Sequence, residues 1–320
     1  MMGKTVLVTG AAGYIGSAAA KELIEIGYNV IAIDNLSKGL RSLVDKKATF
    51  YKVDLAEKEQ LEKVFKENKI EGVMHFASYK LVGESMKDAP KYSDNIRGTI
   101  NLLDLMIEKG IKKIIYSSSA AVYGSPEYTP MDEKHPTNPI NYYGFTKLEC
   151  EKIIQWYAQL HGIKYISLRY FNVVGDAGLN YINPSPQNIF PIIMEVLFGK
   201  REKLTIFGND YSTRDGTCIR DYIDINDLIK AHIQALDLGQ NEIINLGTSK
   251  GTSVKELVDA VKEAIGKEFK YEFGQRREGD PAVLIASNDK ARKLLGWKPS
   301  RDIKETIKSA YKAYERGISD

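Results

Sequence analysis

The chain is poor in cysteine, with Cys150 and Cys218 alone among 320 residues. Two thiols cannot build a disulfide framework, and their scarcity suits a reducing compartment such as the cytoplasm. Histidine is almost as sparse: His75, His135, His161 and His232 stand far apart, without the short spacings that bind zinc, so no metal is expected. No apolar run reaches the roughly 18 residues needed to span a bilayer. The opening MMGKTVLVTGAAGYIG lacks the apolar stretch and small-residue cleavage site of a secretory signal. Charge of either sign is not in excess, with 45 Lys and Arg against 42 Asp and Glu and a net +3. That balance argues against a polybasic face for nucleic acid or membrane. The expectation is a soluble intracellular protein, long enough for one large or two fused domains.

What is present is an alternation. Short β-branched runs at residues 5–9, 29–34, 49–54, 72–76, 113–117 and 164–170 are separated by helical patterns at 17–27, 57–67, 92–108 and 142–161. In the first helix Ala20, Leu23 and Ile24 form the apolar face and Gly27 ends it. Strands joined through helices require right-handed crossovers, which predicts an α/β fold with a doubly wound parallel (Rossmann) sheet over residues 1–174. Beyond about Gly175 the pattern loosens into a Gly-, Asn- and Pro-rich loop at 176–191. Helices are expected at 192–199, 225–238, 254–265, 289–295 and 303–316, with strands at 204–207, 242–246 and 269–273. Residues 175–320 read as a smaller mixed α/β unit capping the ligand edge of the sheet, with some later segments returning to the first unit.

Gly10-Ala-Ala-Gly13-Tyr-Ile-Gly16 follows the first strand and opens the first helix. Glycine permits the tight turn, close backbone approach to a pyrophosphate, and helix–strand packing. The helix N-terminus then presents unpaired N–H groups to the phosphates. The second strand ends on Asp34, whose carboxylate suits ribose hydroxyls and repels a 2′-phosphate, so NAD is favoured over NADP. Asp54, closing the third strand, reads equally well as an adenine contact or as a turn residue.

A phenol and an ammonium lie four residues apart in YYGFTK, at Tyr143 and Lys147. Positions i and i+4 share a helix face, so these two point one way and Tyr142 another. Tyrosine is a poor base at its ordinary pKa of about 10. The ammonium and an oxidised nicotinamide would each favour the phenolate and bring it toward the range for proton transfer with a sugar hydroxyl. Tyr-x-x-x-Lys arises often by chance, but Ser117-Ser118-Ser119 directly after the fifth strand adds hydroxyls at a carboxyl strand end, where such sheets bind ligands.

These motifs resemble the extended short-chain dehydrogenase/reductase group, and within it the UDP-galactose 4-epimerases. The matching stretches are VTGAAGYIGS, DNLS, HFASYKLVGES, SSSAAVYG, YYGFTK, RYFNVVGD, IFGNDYSTRDGTCIRDYI and RREGD, spread over nearly the whole chain. The resemblance implies that Tyr143 is the base, that Lys147 binds the nicotinamide ribose and tunes Tyr143, and that Ser119 assists. It implies NAD contacts at Gly10, Gly13, Tyr14, Ile15 and Gly16, and at Asp34, Asn35, Leu36 and Ser37. Further cofactor positions are Asp54, Leu55, Phe76, Ala77, Lys80, Asn95, Ser117 and Tyr170. The UDP-sugar would meet Lys80, Ser119, Tyr143 and Asn172, then Asn188, Ile189, Thr205, Ile206 and Phe207. Arg220 and Arg277 offer forked donors to a diphosphate, Asp280 accepts from a ribose hydroxyl, and Leu284 borders the sugar's C2 substituent. Either arginine alone would more often be a surface ion pair. The resemblance also implies a homodimer through the helices at 92–108 and 142–161.

The expected activity is reversible C4 epimerisation of UDP-glucose and UDP-galactose through a 4-keto sugar. Dehydratases of the same fold need an acid and a base after the serine, and here Ala120 and Ala121 can move no proton. Epimerases acting on N-acetylhexosamine, pentose or uronate sugars are the nearest alternative. A non-catalytic NAD sensor on this scaffold is a third, and it has no need of the retained Tyr143 and Lys147.

Overall fold

The computed structural model describes residues 3–184, 186–277 and 279–319. The strands in chain order begin with β1 (Thr5–Thr9), β2 (Asn29–Asp34), β3 (Thr49–Lys52), β4 (Gly72–His75), β5 (Lys113–Ser117), β6 (Lys164–Tyr170) and β7 (Asn172–Val174). Then come β8 (Leu204–Phe207), β9 (Ile219–Arg220), β10 (Tyr222–Asp224), β11 (Glu242–Leu246), β12 (Thr252–Ser253), β13 (Tyr271–Gly274) and β14 (Val283–Leu284). The helices are α1 (Tyr14–Glu25), α2 (Lys58–Glu67), α3 (Val82–Ser85), α4 (Ala89–Glu108) and α5 (Tyr142–His161). They continue with α6 (Ile189–Leu197), α7 (Ile225–Ala235), α8 (Val254–Ile265), α9 (Asp289–Leu295) and α10 (Ile303–Ser319).

Seven strands form one parallel sheet in the order β11-β6-β5-β4-β1-β2-β3. Val6 and Val8 pack on one face with Ala20, Leu23, Leu228 and Ile229, while Leu7 points to the other among Leu102, Leu105 and Ile154. Burial on both faces is why these strands read as continuous apolar runs rather than alternating ones. The strand order reverses between β1 and β4, and in such sheets the crevice at that reversal holds the ligand. The later half does return: β11 closes the sheet beside β6, and α7 packs into the core shared with α1. The smaller sheets are β12-β9-β14, β13-β8 and β10-β7, over a second core that includes Phe190, Ile193, Leu257 and Ile307.

The helix expected from residue 17 begins three residues earlier, at Tyr14, because the glycine turn itself winds into the helix with Gly13 as its cap. The third strand stops at Lys52 rather than residue 54, leaving Val53 and Asp54 in the loop beyond it. Strands β7, β9, β10, β12 and β14 have two or three residues each. Such pieces are too short to carry a readable period. No helix among the described residues is long and apolar enough to cross a membrane.

Candidate active site

The turn after β1 depends on Gly10, at φ +68°, where a Cβ would lie 2.7 Å from the Ala77 nitrogen in the loop just beyond β4. A Cβ on Gly16 would collide with the Gly10 carbonyl oxygen. The chain therefore closes tightly and leaves the first turn of α1 facing a cavity at the sheet's carboxyl edge. Gly13, Tyr14, Ile15, Asp34, Asn35, Ser37, Asp54 and Leu55 line this cavity from one side. Phe76, Ala77, Lys80, Asn95, Ser117, Tyr143, Lys147 and Tyr170 line it from the other. These residues fit a dinucleotide: a cradle that any Cβ would fill, a helix N-terminus, and an acid at the second strand end.

Asp34 accepts from the Ala12 amide at 3.0 Å and from the Leu36 amide at 2.8 Å, and burial raises its carboxyl against those bonds. Leu36, at φ +60°, packs its side chain against the sheet core and presents its amide to Asp34. Asp54 accepts from the Asn35 amide group at 2.9 Å and from the Ala56 backbone at 2.9 Å. It is thus both a turn residue and a wall residue.

Helix α5 carries the phenol and the ammonium. Asn141 caps it by accepting from the Gly144 amide at 2.8 Å. Gly144 is needed for close approach, since a Cβ there would strike the Ala121 carbonyl oxygen. That contact sets the helix start against the turn that follows Ser119. The Tyr143 phenol accordingly meets the Ser119 hydroxyl, which lowers its pKa against the larger raising effect of burial. Tyr142 points elsewhere, with its hydroxyl 2.8 Å from Ser93. Lys147 is buried, donates to the Ser117 carbonyl oxygen at 2.7 Å, and lies 6.0 Å from the Tyr143 ring centre. Burial lowers its pKa to about 8. The expectation that Lys147 draws the phenol downward is corrected to this extent: burial dominates at Tyr143, and Ser119 supplies the opposing effect.

Lys80 and Tyr143, expected to meet the sugar as well, line that cavity, whereas the expected sugar-nucleotide residues after Tyr143 lie beyond it on later segments of the chain. Arg220 is ion-paired with Asp280, and the Arg277 guanidinium sits 4.0 Å from the Phe207 ring centre. Thr205 and Phe207 flank Ile206 on β8, but the Ile206 side chain is buried in the second core, so only its backbone is available to a ligand. Asn188 precedes α6 and Ile189 opens it against the same core. Asn172 donates to the Asp221 carbonyl at 3.3 Å. Leu284 packs on a small cluster of Val122, Tyr123, Met131 and Leu148 just behind the serine turn.

Sequence reasoning missed one part of the wall. Tyr181, Asn183 and Pro184 border the same cavity as the glycine turn. Tyr181 stacks on Tyr14 with ring centres 5.2 Å apart and planes at 20°. The segment is anchored by the Tyr14 hydroxyl donating to the Gly175 carbonyl at 2.6 Å and by Lys21 donating to the Ala177 carbonyl at 3.1 Å. The available signal was a loop rich in Asn and Pro that contains Tyr181, which does not say what it covers. Among the described residues no group of His, Cys, Asp and Glu is placed to hold a metal ion.

The model for the NAD dependent epimerase/dehydratase family matches residues 6–247. The chain is 44% identical to UDP-glucose 4-epimerase of Lacticaseibacillus casei, over 97% of each protein. Its fold superimposes on a crystal structure of a UDP-glucose 4-epimerase with a TM-score of 0.95, at 42% identity and 98% coverage of both chains. It is also similar to the Bifidobacterium longum UDP-glucose 4-epimerase in complex with NAD+ and UDP, with a TM-score of 0.91, 36% identity, and 98% and 99% of the two chains covered. The glycine turn, the Tyr143–Lys147 stripe and the full-length likeness agree, and the chain belongs to the NAD-dependent epimerase/dehydratase family.

Proposed function

We infer that this chain is an NAD-dependent UDP-glucose 4-epimerase, interconverting UDP-glucose and UDP-galactose by inverting C4. Its full-length relatives act as UDP-glucose 4-epimerases. The observation carrying the mechanism is that Ser119, Tyr143 and Lys147 meet at the end of β5, beside the glycine turn, with alanines at 120 and 121. NAD held there would supply the hydride acceptor for C4 and, once reduced, the donor for its return to the opposite face. Tyr143 takes the proton from the C4 hydroxyl and later gives it back, while Ser119 holds that hydroxyl in line. Lys147, bonded to the Ser117 carbonyl oxygen, binds the nicotinamide ribose beside the phenol. Asp34 holds the adenosine ribose, and Gly10 to Gly16 receive the pyrophosphate.

Arg220 and Arg277 grip the UDP diphosphate, Asp280 accepts from its ribose, and the β8 backbone with Phe207 borders the uracil. A firmly held nucleotide leaves the keto sugar free to turn about the diphosphate and present its other face. On this reading residues 1–174 chiefly bind NAD and 175–320 chiefly bind the UDP-sugar. The protein acts in the cytoplasm as a homodimer paired through α4 and α5, where Trp156 and Leu160 are exposed.

The deciding experiment gives purified protein UDP-galactose, UDP-N-acetylgalactosamine and UDP-arabinose side by side without added cofactor. UDP-glucose formed from UDP-galactose is the expected product, and the other two measure how far Leu284 limits the sugar. Deuterium placed at C4 is retained in the product; its loss to solvent would overturn the hydride route.

A further inference from the structure

Behind the reacting groups lies a buried ion pair that this chemistry leaves unused. Glu151 is fully buried and Arg169 is 4% exposed. The Arg169 Nε donates to Glu151 Oε1 at 2.9 Å, and its terminal nitrogen pairs with Oε2. The Ser118 hydroxyl donates to the same Oε1. On the far side the guanidinium lies 4.8 Å from the Tyr123 ring centre, and the Tyr123 hydroxyl donates to Asn245 Oδ1 at 2.7 Å. Glu151 is therefore held from β6, from the serine turn and, through Arg169, from the neighbourhood of β11.

Its position on α5 matters. Tyr143, Lys147 and Glu151 follow one another at intervals of four, a single stripe on the helix. The serine triplet meets that stripe at all three positions, though not in chain order. Ser119 meets Tyr143, the Ser117 carbonyl meets Lys147, and Ser118 meets Glu151. Three consecutive residues of an extended turn are thus tied to three successive turns of one helix. A carboxylate sealed among apolar groups is costly unless fully paired, and here it is paired twice within reach of the reaction.

We propose that Glu151, clamped by Arg169, is a positioning residue for the epimerisation: it locks the Ser117–Ser119 turn to α5 so that Ser119 and Tyr143 address one sugar hydroxyl together, and it faces the Lys147 ammonium with a fixed negative charge. This rests on the epimerase reading given above. Lys147 is also faced by Cys150 on its own helix, by His75 from β4, and by the Tyr116 ring from β5, 5.0 Å from its nitrogen. His75 is held neutral by burial, so Glu151 is the anion in that shell that favours the ammonium.

The test compares Ser118→Ala and Glu151→Gln with the unaltered holoenzyme on UDP-galactose. Activity of the unaltered protein tests the epimerase reading; the variants test the clamp. Ser118→Ala removes the tether without burying a lone charge. It is expected to lower kcat about tenfold to a hundredfold, the scale of a small misplacement of reacting groups, with KM, bound NAD and Tm nearly unchanged. Glu151→Gln is expected to lower kcat as well and to move the alkaline limb of the kcat–pH profile to lower pH, because the ammonium loses its stabilising anion. If Glu151→Gln does not fold, Ser118→Ala decides alone. Parent-like kcat in Ser118→Ala overturns the proposal, as does a loss that follows a lowered Tm and vanishes on cooling. An alkaline limb unmoved in a folded Glu151→Gln overturns the charge role.

Discussion

The Lys147 ammonium donates to the Ser117 carbonyl oxygen at 2.7 Å, joining the second turn of α5 to the last residue of β5. That bond places a buried positive charge at a carboxyl strand end, between the cavity and the serine turn. It also leaves Tyr143, one turn earlier, pointing into the cavity with Ser119 beside it.

Tyr143→Phe keeps the ring and removes the group that exchanges the proton. General acid–base groups contribute about 10²- to 10⁴-fold to rate. We expect kcat to fall by at least a hundredfold while NAD content of the purified protein is unchanged. Turnover near that of the unaltered protein would refute the assignment.

Burial brings Lys147 down to about 8, so it sheds its proton within the working range of an enzyme. The charged form donates to Ser117 and binds the nicotinamide ribose; the neutral form holds both less well. The rate is therefore expected to fall as pH rises through about 8. A kcat profile from pH 6 to 10 reads this directly, and one that stays flat through pH 9.5 removes Lys147 from the role.

Two buried imidazoles make the fold sensitive to acid. Burial pushes His75 down to about 3 and His232 down to about 4. Below an unfolded value of about 6.5 the unfolded chain binds protons that the fold refuses, so stability falls as pH falls. Each imidazole contributes about 1.4 kcal/mol per pH unit in that window. The buried carboxyls of Asp34, Asp221 and Asp224 are raised and act in the opposite direction. Urea unfolding of the unaltered protein and of His232→Leu at pH 7 and pH 5.5 isolates one imidazole, and the variant is expected to show the shallower dependence.

Tyr181 on Tyr14 closes the cavity over the glycine turn. An epimerase must keep its cofactor between the outward and returning hydride transfers. Tyr181→Ala is expected to emerge from gel filtration with less than one NAD per chain and to regain activity on adding NAD. Full retention of NAD by the variant would assign the segment a packing role only.

Trp156 is 59% and Leu160 67% exposed, one turn apart on α5. In the homodimer proposed above, pairing of α4 and α5 with a second copy would cover these side chains. Trp156→Glu is expected to halve the mass measured by light scattering; an unchanged dimer would move the interface elsewhere.

The sequence by itself determined what depends on neighbours within a few residues. The Gly10–Gly16 turn, the end of β2 at Asp34 and the bounds of α5 were all legible, because turn sterics, β-branching and Asn141 capping act locally. The i, i+4 relation of Tyr143 to Lys147 is likewise a property of any helix. Tertiary structure alone decided which distant segments share a surface. Glu151 meets Arg169 from β6 and Ser118 from the turn after β5, Tyr181 crosses to Tyr14 from 167 residues away by number, and β11 joins β6 across the later half. Ile206 is buried in the second core and Leu36 packs against the first. Those outcomes follow from burial and from the pairing of polar groups taken out of water, which no local pattern encodes.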